Sequence, residues 1–376
     1  MLYRRFGKTN LHISVFSLGT MRCLTSEAIA CRTIEQAISQ GINHLETAQG
    51  YGKSEEYVGK ALKAGLSIAR EKLYITTKLP PTPDAEQMRC WLEASLQRLQ
   101  LDYLDCLAIH GINTWEHLRW VKAPDGCMQP IMEALRDGRI KHVGFSTHGS
   151  LDLILATINT DLFEFINLHY YYFFQRNQPA IQLAHEKDMG IFIISPVDKG
   201  GRLYNPPAKL QQLCEPLSPL EFNYRFLLGD HRITTLSVGA ATPEELAIPL
   251  QVADCGESLT SVELAIKARL EQELTQSLGT NLCNQCYQCL PCPENINIPE
   301  ILRLRNLTVA YDMDGFGQYR YRMFENAGHW FPGTKGNRCT DCGDCLPRCP
   351  QNLDIPTLLG DTHQRLNGAP RRRLWG

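Results

Sequence analysis

From residue 13 to about residue 254 the chain alternates short apolar runs, rich in β-branched residues, with longer amphipathic stretches. The runs predict strands at 13–20, 44–48, 73–79, 104–110, 142–147, 165–170, 191–196 and 234–239. Between them, segments such as 27–40, 54–63, 84–99, 180–187 and 243–252 repeat apolar residues at spacings of three and four, as a helix with one buried face does. The last opens on a start signal: Thr242 as N-cap, Pro243 at the first helical position, and Glu245 placed to close a capping box. Eight strand–helix repeats in roughly 250 residues predict an α/β fold closed into a (β/α)8 TIM barrel, with a doubly wound open sheet as the competing arrangement.

After Ala253 the pattern changes. Residues 258–278 read as one helix, and the chain then becomes rich in Cys, Pro, Asn and Arg without strand alternation. The expected division is a barrel over 1–256, a connecting helix over 257–279 and a small, mainly helical domain over 280–376. Residues 298–324 are expected to be helical, and the only internal repeat visible is in the cysteines.

Those cysteines number 15, and their distribution is informative. Cys23, Cys31, Cys90, Cys106, Cys127, Cys214 and Cys255 are scattered, mostly among apolar residues, where cysteine behaves as a small hydrophobe. The other eight form two runs: Cys283, Cys286, Cys289 and Cys292 before Pro293, and Cys339, Cys342, Cys345 and Cys349 before Pro350. The second is the C-x2-C-x2-C-x3-C-P run of bacterial ferredoxins, and the first lacks one residue before its last cysteine. In two-cluster ferredoxins the last cysteine of each run serves the other cluster. By that rule Cys283, Cys286, Cys289 and Cys349 hold one [4Fe–4S] cluster, and Cys339, Cys342, Cys345 and Cys292 the other. Structural zinc is the competing reading, but zinc sites join separated CxxC pairs rather than packing four cysteines into one run.

Composition narrows the classes. A hydrophobic share of 43% with 21% charged residues is ordinary for a globular protein, and a net charge of −2 gives no reason to expect nucleic acid. No signal-peptide pattern and no bilayer-length apolar run is visible, so a cytoplasmic protein without membrane association is expected. In that compartment the cysteines are expected as ligands rather than disulfides.

In a barrel the C-terminal strand ends converge on one mouth. Four chemically capable residues fall there: Glu46 ends the second strand, Tyr51 follows it, Lys78 ends the third and His110 ends the fourth. A tyrosine, with an ordinary pKa of ~10, donates protons efficiently near neutrality only beside a group such as a cation that lowers it.

Over most of residues 1–255 the chain resembles the aldo/keto reductase family. The resemblance rests on 16–20, on Glu46-Thr47-Ala48-Gln49-Gly50-Tyr51-Gly52 with Ser54-Glu55, on Lys78, on Leu101-Asp102-Tyr103-Leu104-Asp105 leading to His110, and on 138–146. Joined to the double cysteine motif, it looks like the subgroup with a C-terminal ferredoxin-type domain, whose first run is also shortened. The resemblance implies Tyr51 as general acid, Lys78 lowering its pKa, the acidic residue at 46 pairing with the lysine, and His110 orienting the carbonyl. Where the family ordinarily has Asp this chain has Glu46; one added methylene either preserves the pair or pulls Lys78 off line. The resemblance also places Ser146, Thr147, Asn167 and Tyr170 near a nicotinamide, with Tyr170 as stacking candidate between His169 and Tyr171. Loops after strands seven and eight commonly bind phosphate, so Lys199, Gly200, Gly201 and Arg202, with Gly239 and Thr242, are expected against the dinucleotide.

The expected function is an NAD(P)H-linked carbonyl or alcohol oxidoreductase, with NADPH preferred to NADH. Its two [4Fe–4S] clusters would exchange single electrons with a ferredoxin-like carrier. Nicotinamides move electron pairs whereas each cluster moves one; either two clusters together store the pair, or a flavin at the barrel mouth mediates. The alternative is a non-catalytic, nicotinamide-binding redox-sensing subunit whose clusters are sensors or structural elements, a reading favoured by Glu46. The basic run Arg371-Arg372-Arg373 is a candidate dock for an acidic carrier, with a solvated tail as the simpler reading.

Overall fold

The computed structural model describes residues 1–369; the basic run at 371–373 lies outside the described residues. Contacts divide the chain into two compact units, Met1–Pro196 with Asn223–Ser258, and Val197–Phe222 with the chain from Leu259 onward. The first unit is a closed barrel of eight parallel strands: β3 (Phe16–Gly19), β4 (His44–Glu46), β5 (Tyr74–Leu79), β6 (Leu104–His110), β7 (Ile140–Ser146), β8 (Phe165–Leu168), β9 (Gly190–Ile193) and β10 (Thr235–Val238), with β10 closing onto β3. Strands of such a sheet are covered on both faces, which is why β6 reads Leu-Asp-Cys-Leu-Ala-Ile-His and buries every residue up to His110. Helices start where short polar side chains occupy the first orphan amides: Ser26 accepts from Ile29, Asp84 from Glu86 and Gln87, and Thr114 from His117.

The predicted first strand is two elements. β2 (His12–Ser14) pairs antiparallel with β1 (Tyr3–Arg5), and only from Phe16 does the chain join the barrel. This hairpin seats Phe6, fully buried, on Phe165 at 5.2 Å between ring centroids, in a cluster with Ile13, Cys106, Ala108 and Phe192. Gly190 is required there, because a Cβ at that position would stand 2.3 Å from the Phe6 ring. Deeper inside, His44 is held by Ser17 Oγ and Thr76 Oγ1, each at 2.7 Å. Burial, with a smaller push from Lys78, lowers its pKa to about 3, so it is a neutral structural group.

The predicted helix 243–252 is a 3-10 turn, Pro243–Leu246, followed by a short helix, Ala247–Gln251. The Thr242 side chain does not cap it, and Glu245 accepts from the Ala241 amide while pairing with Arg22 at 2.6 Å. A cation from another loop has outcompeted the capping box.

The second unit is helical. Helix Ser261–Leu278 begins with a full capping box of Thr260 and Glu263, three residues later than the expected 258. The expected 298–324 helix is two helices, Ile298–Tyr311 and Asp314–Tyr321. All of the first except Val309 is buried; its Glu300 and Arg303 pair with each other at 2.6 Å, and its Arg305 pairs with Asp361 at 2.8 Å. The unit differs from the expected division in claiming 197–222, inserted in the barrel sequence after β9: within it Lys209 pairs with Glu273 at 2.7 Å and Arg269 donates to Leu213 O. The internal repeat also runs further than the cysteines. Cys292-Pro293-Glu294-Asn295-Ile296-Asn297-Ile298-Pro299 matches Cys349-Pro350-Gln351-Asn352-Leu353-Asp354-Ile355-Pro356, each with a left-handed Asn and each opening a helix with proline in its first turn.

Replacing Phe6 by Ala removes the ring that fills the hairpin end of the barrel, and is expected to destabilise the protein by about 3–5 kcal/mol. Urea denaturation followed by near-UV circular dichroism measures it; an unchanged midpoint would mean that the hairpin does not support the barrel.

Candidate active site

Strand register sets the site. His110 pairs with Ser146 and Ser146 with Asn167 across β6, β7 and β8, while Glu46 and Lys78 close β4 and approach the end of β5. Lys78, only 1% exposed, places Nζ 2.5 Å from Glu46 Oε1 and donates to Thr47 O at 2.7 Å. Glu46 Oε1 also accepts from Asn167 Nδ2 at 3.1 Å, so the longer glutamate is held from two sides and the ion pair is preserved. Burial pushes the Lys78 ammonium below the usual lysine range, and Glu46 opposes that shift. Nζ lies 4.6 Å from the centroid of the Tyr51 ring, and Tyr51 meets His110 edge to face at 5.6 Å. The four candidate catalytic side chains therefore form one contiguous group.

Around it, Ser146 Oγ accepts from the Gly111 amide, and Thr147 Oγ1 bridges Ile112 O and the Gly149 amide. Buried Asn167 Oδ1 has no hydrogen-bond partner among the described residues. The Tyr170 ring lies against Phe226 at 5.7 Å, and burial pushes its pKa up to about 12. His169 lies near the mouth, its Nε2 3.2 Å from His148 Nε2 and its Nδ1 2.5 Å from the Tyr171 hydroxyl, which donates to Ile194 O. In the sequence, the two-residue alternation running on from Asn167 is the signal that turns His169 to the same side.

The loop candidates do not form one group. Lys199, Gly200 and Arg202 belong to the second unit, where Arg202 stacks over Tyr204 and Tyr319 and its Nε donates to the Tyr204 hydroxyl at 2.9 Å. Gly239 O accepts instead from Arg22 at 2.7 Å, and Thr242 hydrogen-bonds Glu244. Arg22 was not singled out in the sequence because its partner lies 223 residues away.

The cysteines lie in neighbouring groups. Cys283 lies within electrostatic reach of Cys286 and Cys349, and Cys345 of Cys339, Cys342 and Cys292. Cys292, Cys339, Cys342 and Cys345 line one cavity. Among the described residues no three His, Cys, Asp or Glu side chains converge as a single metal ion requires. Two sets of four spaced thiols suit a larger inorganic core better than bare zinc.

Residues 16–247 match the aldo/keto reductase family, and residues 282–353 match a 4Fe-4S dicluster domain. The chain belongs to the aldo/keto reductase family. Among its relatives, the methylglyoxal reductase DkgA of Salmonella typhimurium is 38% identical over 156 residues, 40% of this chain and 53% of that protein. The oxidoreductase YqkF of Bacillus subtilis is 23% identical over 73% of this chain and 98% of its own length. In fold the chain is similar to the holo form of an aldo-keto reductase from Bacillus halodurans, with a TM-score of 0.61, 23% identity, and coverage of 72% of this chain and 96% of that one. No helix among the described residues is long and apolar enough to cross a membrane.

Replacing Glu46 by Gln leaves a buried ammonium without its counter-charge, and is expected to destabilise the protein by about 3–5 kcal/mol. Adding Lys78→Met should recover much of that loss. Chemical denaturation of the two variants reads both numbers, and a double variant no more stable than Glu46→Gln would refute the pairing.

Proposed function

We propose that the chain is an NAD(P)H-dependent carbonyl reductase or alcohol dehydrogenase whose four-cysteine sets hold two [4Fe–4S] clusters. The observation that carries this reading is the buried Lys78, fixed by Glu46 and Thr47 O beside the Tyr51 ring. Tyr51 donates the proton to the carbonyl oxygen, Lys78 lowers its pKa, Glu46 holds Lys78, and His110 orients the substrate oxygen. A bound nicotinamide supplies the hydride, and the clusters supply one-electron exchange with an external carrier such as a ferredoxin. The unfilled acceptor Asn167 Oδ1 fits the amide donor of a nicotinamide carboxamide. NADPH is the cofactor proposed over NADH, with half-exposed Arg22 beside Gly239 O as the basic group for which a 2′-phosphate would compete with Glu245. Small dicarbonyls such as methylglyoxal are the first substrates to offer, since a relative carries that activity in its name.

Tyr51→Phe is expected to lower carbonyl reduction by about 10²- to 10⁴-fold while nicotinamide affinity is retained. Steady-state rates and cofactor-binding fluorescence separate the two effects; full activity in the variant would remove Tyr51 as the acid. Anaerobic addition of NADPH or NADH to cluster-replete protein is expected to bleach the visible iron–sulfur absorption, more completely with NADPH. Bleaching by dithionite alone would show that the nicotinamide does not reduce the clusters.

A further inference from the structure

The two cysteine runs align position by position up to their third cysteine. Cys283-Asn284-Gln285-Cys286-Tyr287-Gln288-Cys289 stands against Cys339-Thr340-Asp341-Cys342-Gly343-Asp344-Cys345, so two glutamines in the first run are two aspartates in the second. The backbone at the first of these positions is the same: Gln285 has φ 55° and Asp341 φ 53°. In both runs that residue's backbone group also hydrogen-bonds the cysteine two positions earlier, Gln285 with Cys283 and Asp341 with Cys339.

The side-chain charge differs. Asp341 Oδ1 lies 3.7 Å from Cys339 Sγ. Glu294 and Asp344 line the cavity shared by Cys292, Cys339, Cys342 and Cys345, with Arg348 as the one cation there. Arg348 is fixed by Asp344 O at 2.7 Å and Pro291 O at 3.0 Å. The first run, 283–292, contains no charged side chain at all.

We propose that the two clusters are unequal in reduction potential, with the cluster held by Cys339, Cys342, Cys345 and Cys292 the lower, and that Asp341 and Asp344 set the difference. The inference rests on the cluster reading above. Reduction adds one negative charge to a cluster, and a carboxylate nearby raises the energy of the reduced form; local charge is among the levers a protein has on such potentials. Arg348 offsets only part of three acidic groups. An electron delivered to either cluster therefore comes to rest on the first-run cluster: the second-run cluster is oxidised by one electron, the first-run cluster is reduced by one, and no proton or bond is exchanged. Cys289 and Cys345 lie within electrostatic reach of one another.

The test is an anaerobic redox titration of the full chain, with dithionite and mediators, followed by electron paramagnetic resonance and accompanied by iron and sulfide analysis. The wild-type protein is expected to show two one-electron waves. The double variant Asp341→Gln with Asp344→Gln copies what the first run already carries, and should raise the lower wave alone. At fixed ambient potential its reduced-to-oxidised ratio should grow about three- to tenfold, tenfold being 59 mV for one electron. The mirror variant, Gln285→Glu with Gln288→Glu, should lower the upper wave alone. Coincident waves in the wild type, or an aspartate variant that moves the upper wave or neither, overturn the inequality while leaving the clusters in place. Iron and sulfide short of two clusters overturn the cluster reading itself, and this inference with it.

Discussion

Closing eight parallel strands into a barrel buries each strand on both faces, and much of the first unit follows from that constraint. The interior accepts a charge only if another charge meets it there. Lys78 enters at the end of β5, and Glu46, Thr47 O and Asn167 are arranged so that its ammonium and the opposing carboxylate each have partners. Such burial leaves the ammonium charge poorly screened beside the Tyr51 ring, which is what the proposed role of the lysine asks of it. Packing and chemistry are here one arrangement, read at different distances from the same nitrogen.

The glutamate at position 46 shows how that arrangement absorbs a departure from the family's usual residue. An extra methylene carries the carboxylate further from its strand, yet Oε1 still reaches Lys78, and Asn167 Nδ2 meets the same oxygen. The asparagine is thereby tied to the ion pair through one end of its amide, leaving Oδ1 uncommitted. A carboxylate held by two donors is better oriented than one held by a single flexible lysine.

What could be read in the sequence follows the range of the forces involved. All eight barrel strands were legible, because two-sided burial writes continuous apolar runs, and the cysteine spacing was legible because a cubane demands it. The residues at 46, 51, 78 and 110 could be placed because strand ends locate the mouth. The failures lie where partners are distant along the chain. Glu245 was assigned to its local cap, but Arg22 claims it. The break at Val15 was hidden because an antiparallel hairpin strand and a barrel strand share the same alternation. The extended repeat after Cys292 and Cys349 was available in the letters and emerged only when both segments were seen to start helices alike.

The segment 197–222 belongs by its contacts with residues that follow position 258, although it is encoded before the last barrel strand. During synthesis it leaves the ribosome well ahead of Arg269 and Glu273, the residues that hold it. The nascent barrel must therefore carry an unsupported excursion until the helix Ser261–Leu278 has emerged. A gene cut at the apparent boundary would leave that excursion permanently without its partners. The second unit is thus an interleaved part of the polypeptide rather than a cassette appended to a finished barrel.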